Sequence, residues 1–349
     1  MSLQSGHDPA ILRDNHSMSR RHWIRGAAAA MGGFASLTLA PGSVRGAEPD
    51  KARIAITLDL EMSRNFPTWE STHWDYEKGN LNDETKRYAV EAARRVKAAS
   101  GVLHFFAVGR VFEQANVDWA KELVDQGHPI GNHTYDHVNV TATKPEDLQF
   151  RFQRAPWLIQ GRTVHQVIRE NIRLCELAIQ QRLGKKPDGF RTPGGFRTGL
   201  QDHPEVRAIL LELGYTWVSS LYPPHPYTKP MEEPSVEIID GILDALPAAQ
   251  PSVYPDGLIE IPMSPISDIG AFRTGRWKLD WYLAAIGQCV QWAIENRAVF
   301  DFLAHPSCLY VADPNFKAIE LICDLVASAG DRAEIVDLDT IAKGEKPGA

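Results

Sequence analysis

The chain has 349 residues, 44% of them hydrophobic and 23% charged, with a formal net charge of −7. That is globular composition, with length enough for one large α/β domain. Residues 1–47 hold five arginines against two acids, a local charge of +3, which leaves −10 for the rest. An acidic body argues against nucleic acid or an anionic membrane surface as partner.

The first segment reads as a targeting sequence rather than as fold. Ser19-Arg20-Arg21-His22-Trp23-Ile24-Arg25 precedes a stretch rich in Ala and Gly, from Ala27 to Ala40. This is the pattern of a twin-arginine export signal over residues 1–47, too short and weakly apolar for a permanent span. Cleavage is expected near Gly46-Ala47, with an uncleaved anchor as the alternative. The expected location is periplasmic or secreted, with no stable membrane span in the mature chain. Four cysteines (Cys175, Cys289, Cys308, Cys323) show no Cys-x-x-Cys spacing. They are buried thiols or form at most one or two disulfides.

Beyond the signal the pattern alternates. Residues 53–58 form a β-branched run that ends at Asp59-Leu60-Glu61, and a Trp-rich loop follows to residue 80. Asn82 caps a helix through residue 100. Residues 102–108 form the next strand and 117–126 a helix closed by Gly127. His128-Pro129-Ile130-Gly131-Asn132 then leads into His133 and His137. Residues 145–183 read as mostly helical and stop at Gly184. A short strand at 189–191 ends in Thr192-Pro193-Gly194-Gly195, followed by a helix at 204–213 and a strand at 215–219. Residues 222–256, with eight prolines, read as one long loop. Then come a strand at 258–261, a helix at 277–296, a strand at 299–303 running to His305, a helix at 314–329, a strand at 334–336 and a disordered tail at 343–349.

Strands alternating with helices predict a single α/β domain over residues 48–342 built on a parallel sheet, open or closed, and chain length and strand count favour a (β/α)7-8 barrel. Chemistry in such barrels sits at the C-terminal ends of the strands. Asp59, Glu61, His133, His137, Arg191 and His305 each fall at or just past a predicted strand end. Two histidines four apart at one such end can turn both imidazoles to one divalent metal. On these grounds His133, His137 and a nearby carboxylate form a candidate metal site. Gly-rich phosphate loops, a Gly-x-Ser-x-Gly elbow and a dinucleotide fingerprint are absent from the sequence.

These residues resemble the motifs of the polysaccharide deacetylase family, the NodB-homology domain of carbohydrate esterase family 4, over residues 53–342, and the resemblance implies an α/β fold of the distorted parallel (β/α)7-8 barrel type. Thr57-Leu58-Asp59-Leu60-Glu61 resembles the first motif. Asp59 matches the catalytic base, and Leu60 replaces the usual metal-binding Asp. The Asp-x-Glu form is similar to a peptidoglycan-deacetylase-like and cyclic-imidase-like branch, which carries metal binding to Glu61. His133-Thr134-Tyr135-Asp136-His137 resembles the second motif, with both histidines as ligands and Thr134 placed for a hydrogen bond behind them. Asp136 is expected to be solvated.

Arg191-Thr192-Pro193-Gly194-Gly195 resembles the third motif. It implies that Arg191 pairs with Asp59 and that the Gly194 N–H faces the oxyanion. Leu303-Ala304-His305 resembles the last, with His305 as general acid and Leu303 lining the acyl pocket. The family's acids that brace the arginine are replaced here by Ser219 and Ser220.

The resemblance implies metal-dependent amide hydrolysis with one divalent ion, zinc by default, with iron, cobalt, nickel or manganese as alternatives. The first expectation for substrate is an N-acetylated sugar in peptidoglycan or another polysaccharide. The alternative is a small cyclic or linear amide, such as an imide or an allantoin-like compound. A glycan-binding protein without turnover is the reading from another class. Trp69, Trp74, Tyr222 and Tyr227 are candidates for stacking on sugars or for loop packing.

Overall fold

The computed structural model describes residues 51–62, 78–187 and 189–345. The segment read as an export signal, the cleavage site expected in it, Trp69, Trp74 and residues 346–349 lie outside them.

The first strand, β1 (Ala52–Leu60), organises the sheet. Side chains of a strand alternate between its two faces. Ile54, Ile56, Leu58 and Leu60 join the large apolar core beneath the helices, while Thr57 and Asp59 lie on the opposite face. Glu61, two residues past Asp59, continues that polar row. The alternation explains why an Asp-x-Glu motif can aim two acids at one site while Leu60 packs in the core.

The sheet continues through β2 (His104–Ala107), β3 (Ile130–Asn132), β4 (Phe190–Phe196), β5 (Trp217–Leu221), β6 (Ser252–Val253), β7 (Ile259–Glu260), β8 (Val299–Ala304) and β9 (Ala333–Ile335). Its spatial order is β6-β7-β5-β4-β3-β2-β1-β8, with β9 added on β1. Every pairing is parallel except that of β6 with β7. This is the distorted barrel expected from the sequence, present as a curled half-barrel.

The seam beside β8 is bridged without a full ladder. The Gln250 carboxamide donates to Val299 O at 3.0 Å and accepts from Val299 N at 2.9 Å. Ser264 Oγ accepts from Asp301 N at 2.8 Å.

The helices are α1 (Asp83–Ala98), α2 (Asp118–Asp125), α3 (Pro145–Leu148), α4 (Phe150–Arg154), α5 (Val164–Leu183), α6 (Pro204–Glu212), α7 (Val236–Asp244), α8 (Leu279–Asn296), α9 (Pro306–Ala312), α10 (Lys317–Ala329) and α11 (Leu338–Gly344). Asn82 caps α1 by accepting from Thr85 N at 2.9 Å. Gly184 ends α5 in the left-handed conformation, φ 76°, which glycine adopts at no steric cost. Among the described residues no helix is long and apolar enough to cross a membrane.

Three expectations need correction. The proline-rich stretch 222–256 contains α7 and β6. Its prolines flank α7 at Pro234 and Pro247 instead of interrupting it, and Ile238, Ile239, Ile242 and Leu243 give the helix an apolar side. The predicted helical region 145–183 breaks into α3, α4, a 3-10 turn and α5, with Pro156 opening the turn. Lys343 and Gly344, expected in a disordered tail, finish α11, and Glu345 pairs with Arg53 at 2.9 Å. All four cysteines are free buried thiols, which leaves the disulfide alternative unfilled.

Two buried histidines lock the lower barrel. His104 Nδ1 accepts from Leu338 N at 3.3 Å and His128 Nδ1 from Leu103 N at 3.0 Å. Burial pushes the pKa of both below the ordinary histidine value, that of His104 far below. The folded state therefore binds fewer protons at these sites than the unfolded chain. Their contribution to stability is complete above about pH 6.5 and is lost as pH falls below it. His128→Asn, whose side-chain oxygen can still accept from Leu103 N, should lose less stability than the parent between pH 7 and pH 5. Urea unfolding at both pH values checks this.

Candidate active site

The histidine pair sits on a turn that leaves β3. Thr134 (φ 58°) and His137 (φ 59°) both occupy the left-handed region, which is costly for non-glycine residues and persists only where neighbours over-determine it. Here they do. Asn132 Oδ1 accepts from Thr134 N at 2.8 Å, Thr134 Oγ1 from Val138 N at 3.0 Å and Asn171 Oδ1 from Asp136 N at 2.8 Å. Asn132 is itself held by Ile172 O and Tyr215 Oη. Thr134 thus shapes the turn rather than touching an imidazole. The contact behind His133 comes instead from the Arg191 carbonyl, 2.9 Å from Nδ1. Asp136, expected to be solvated, is buried and paired with Arg151.

The turn brings both Nε2 atoms to one oxygen of Glu61. His133 Nε2 is 2.9 Å from Glu61 Oε2, and His137 Nε2 contacts the same atom. Donor atoms of Glu61, His133 and His137 lie within 4.8 Å of one another. Burial opposes charge on His137 and, against the pull of Glu61, lowers its pKa to about 4. The imidazole is then neutral, as a metal ligand must be. Burial would raise the Glu61 pKa, but His137, Lys78 and His133 hold it well below the usual carboxylate range. The Arg191 carbonyl accepts from His133 Nδ1–H and so turns Nε2 toward Glu61. Two imidazoles and a carboxylate are a donor set that suits a divalent ion.

Beneath this cluster lies a second layer. Arg191 is fully buried and reaches four strands. It donates to Thr57 Oγ1 at 2.7 Å, Asp59 Oδ1 at 3.1 Å and Ser219 Oγ at 3.3 Å, and pairs with Asp301. Its guanidinium lies 4.3 Å from the centre of the Phe106 ring. Asp59 Oδ2 is 3.9 Å from His133 Nε2, which places the carboxylate at the border of both layers.

His305, just past β8, completes the cluster. Nδ1 is 2.9 Å from Asp268 Oδ1, the backbone N–H donates to Asp268 Oδ2 at 2.8 Å, and Nε2 is 3.2 Å from Glu61 Oε1. Burial opposes a charge here, but Asp268 and Glu61 overcome it and push the pKa up to about 10. Leu303 is buried on the Asp301 face of β8. Gly194 is exposed with φ 82°, its carbonyl accepting from Thr192 Oγ1 at 2.7 Å.

Sequence reasoning missed three residues. Asp301 supplies the acid that braces Arg191, Ser219 adding one hydrogen bond and Ser220 none. Its signal was an acid inside the apolar run of β8. Asp268 orients His305 from a loop that carried no motif. Lys78, 1% exposed, lies 2.8 Å from Glu61 Oε1. Ser220 turns away to Glu260, 2.5 Å from its hydroxyl. Tyr222 and Tyr227 pack with the loop, Tyr222 Oη accepting from Ser267 N at 3.1 Å and Tyr227 lying 4.4 Å from the His225 ring. Cys308 is buried, with its thiol pKa raised well above normal by burial, as befits a packing residue.

A groove of about 510 Å³ opens beside His137 and Pro193. Asn139, Thr141, Glu146 and Gln149 also line it.

The sequence model for polysaccharide deacetylases matches residues 81–218. No curated protein sequence matches the chain. Among solved structures, a "probable Polysaccharide deacetylase" from Pseudomonas aeruginosa PAO1 aligns with a TM-score of 0.57 at 14% identity, over 84% of this chain and 91% of that one. Puue allantoinase aligns with a TM-score of 0.56 at 15% identity, over 86% of this chain and 94% of that one. At such identities these two likenesses are ones of fold.

The layered site predicts unequal costs. Asp301→Ala leaves Arg191 buried with half its counter-charge and should destabilise by about 3–5 kcal/mol. Ser219→Ala removes one hydrogen bond and should cost less than about 1.5 kcal/mol. Urea unfolding of the two variants measures the difference.

Proposed function

We propose that this chain, which carries a polysaccharide deacetylase family domain, is a metal-dependent hydrolase that removes acetyl groups from the amide nitrogens of N-acetylated sugars in a cell-wall or other polysaccharide. The observation that carries the reading is the convergence of Asp59, Glu61, His133, His137, Arg191 and His305 at one end of the barrel, beside a polar groove. An open groove lined by amide, hydroxyl and carboxylate side chains suits a polyhydroxylated chain better than an apolar ligand.

Glu61, His133 and His137 are the residues that would hold the ion. A bound divalent metal, zinc by default, supplies Lewis-acid polarisation of the amide carbonyl and a more acidic water. Asp59, aimed by Arg191, accepts the proton of the attacking water. The Gly194 N–H donates to the developing oxyanion. His305 enters protonated, with Asp268 on Nδ1, and gives its Nε2 proton to the leaving nitrogen as the C–N bond breaks. Acetate and a free amine result. Leu303 borders the space for the acetyl methyl.

The Ser19-Arg20-Arg21 segment supports export by the twin-arginine route and action in the periplasm or beyond it. A wall or extracellular polymer is a substrate met there.

Two measurements test the reading. Mass spectrometry of products from a panel of chitin oligomers, peptidoglycan fragments and small cyclic imides should show loss of acetyl groups from a sugar. Addition of water to an imide with the sugars untouched would replace the polysaccharide substrate by a small amide. His305→Gln should lower kcat by about 10²–10⁴-fold at unchanged metal content, whereas His133→Ala should lose the metal. Metal analysis beside the rate assay separates the two effects.

A further inference from the structure

We infer that Lys78 is a tethered cation of the metal site: its ammonium holds Glu61 in the metal-free protein and must leave that carboxylate when a divalent ion binds. The inference rests on the reading of Glu61, His133 and His137 as ligands. Lys78 Nζ is 2.8 Å from Glu61 Oε1 and 3.4 Å from His137 Nε2, so it touches two of the three donors. Met62 Sδ, at 3.9 Å, is only a weak acceptor. The residue is 1% exposed, and water does little to screen it.

The placement is built into the chain. Gly79 N donates to Glu61 O at 2.9 Å, fastening the backbone beside Lys78 to the end of β1. Gly79 has φ 83°, and a Cβ there would come within 2.8 Å of Arg110 Cβ. The segment therefore approaches as closely as glycine permits.

The charges decide the rest. Glu61 Oε2 faces His133 and His137, and Oε1 faces Lys78 and His305. A zinc ion bonded to Glu61 and His137 lies about 2.0–2.2 Å from its ligand atoms. An ammonium still on the same carboxylate and the same imidazole would then be a like charge a few bond lengths away, in a site where Coulomb repulsion is strong. The four-carbon stem of lysine lets the charge swing aside. Lys78 thus acts as an internal competitor: it balances Glu61 before metal arrives and weakens metal binding. Its role is positioning, exerted through Glu61.

The test uses the full chain stripped with a chelator. Zinc affinity is measured by competition with a chromophoric chelator for the parent and for Lys78→Met. The variant should bind zinc at least about tenfold more tightly. Its metal-free form should melt lower than the parent, and zinc should raise its Tm by more. In the parent, acetylation of Lys78 by an amine-reactive ester, read by peptide mass spectrometry, should be slow without zinc and fast at saturating zinc. Equal or weaker zinc binding by folded Lys78→Met would overturn the inference and leave the metal site standing. So would a Lys78 that stays shielded in the zinc-loaded parent, a readout that holds even if the variant does not fold. If neither protein binds zinc, the ligand assignment falls and the inference with it.

Discussion

A buried guanidinium is the constraint around which the barrel is arranged. Arg191 lies wholly out of water, where an isolated charge is very costly. It is sustained because Thr57 and Asp59 on β1, Ser219 on β5 and Asp301 on β8 all reach it, with the Phe106 ring of β2 beside it. Strands remote in sequence are thereby tied at one point. Burial raises the Asp301 pKa against the opposing pull of Arg191 and Thr57, so this acid relies on its partners to stay charged. The arrangement gives the sheet its register across the inside of the barrel, as the apolar side chains do across the outside.

Above this layer stands a second, organised by Glu61. The two layers share Asp59, which touches Arg191 below and approaches His133 above. His133 links them again, with Nδ1 on the Arg191 carbonyl and Nε2 on Glu61. A shift of β4 therefore moves a metal-ligand candidate and the partner of the candidate base together. Such coupling keeps reacting groups in fixed relation, the condition under which preorganised electrostatics act.

Much of this was legible in the sequence for a physical reason. Strand alternation and strand-end position are local properties. Asp59, Glu61, His133, His137, Arg191 and His305 could be placed at one barrel end from their own neighbourhoods. Their partners could not. Asp301 matters through β4, 110 residues away, and Asp268 through His305, 37 residues away. Lys78 follows a loop and has no periodic context. Helix α7 is hidden in the sequence because Pro234 and Pro247 lie just outside its ends, so the stretch is proline-rich while the helix itself holds none. The burial of Asp136 is equally silent in its own neighbourhood, since its partner Arg151 folds back from 15 residues downstream.

The seam beside β8 has a consequence for how the protein behaves in company. A half-barrel leaves a strand flank with unpaired N–H and C=O groups, the kind of template on which other chains add strands and aggregate. Here the Gln250 carboxamide occupies the Val299 N–H and C=O as a neighbouring strand would, and Ser264 takes the N–H and C=O of Asp301. One side chain from a 3-10 turn and one serine thus mask the flank without closing the barrel. A sheet that does not close is thus spared an open template at these two residues without a full ladder.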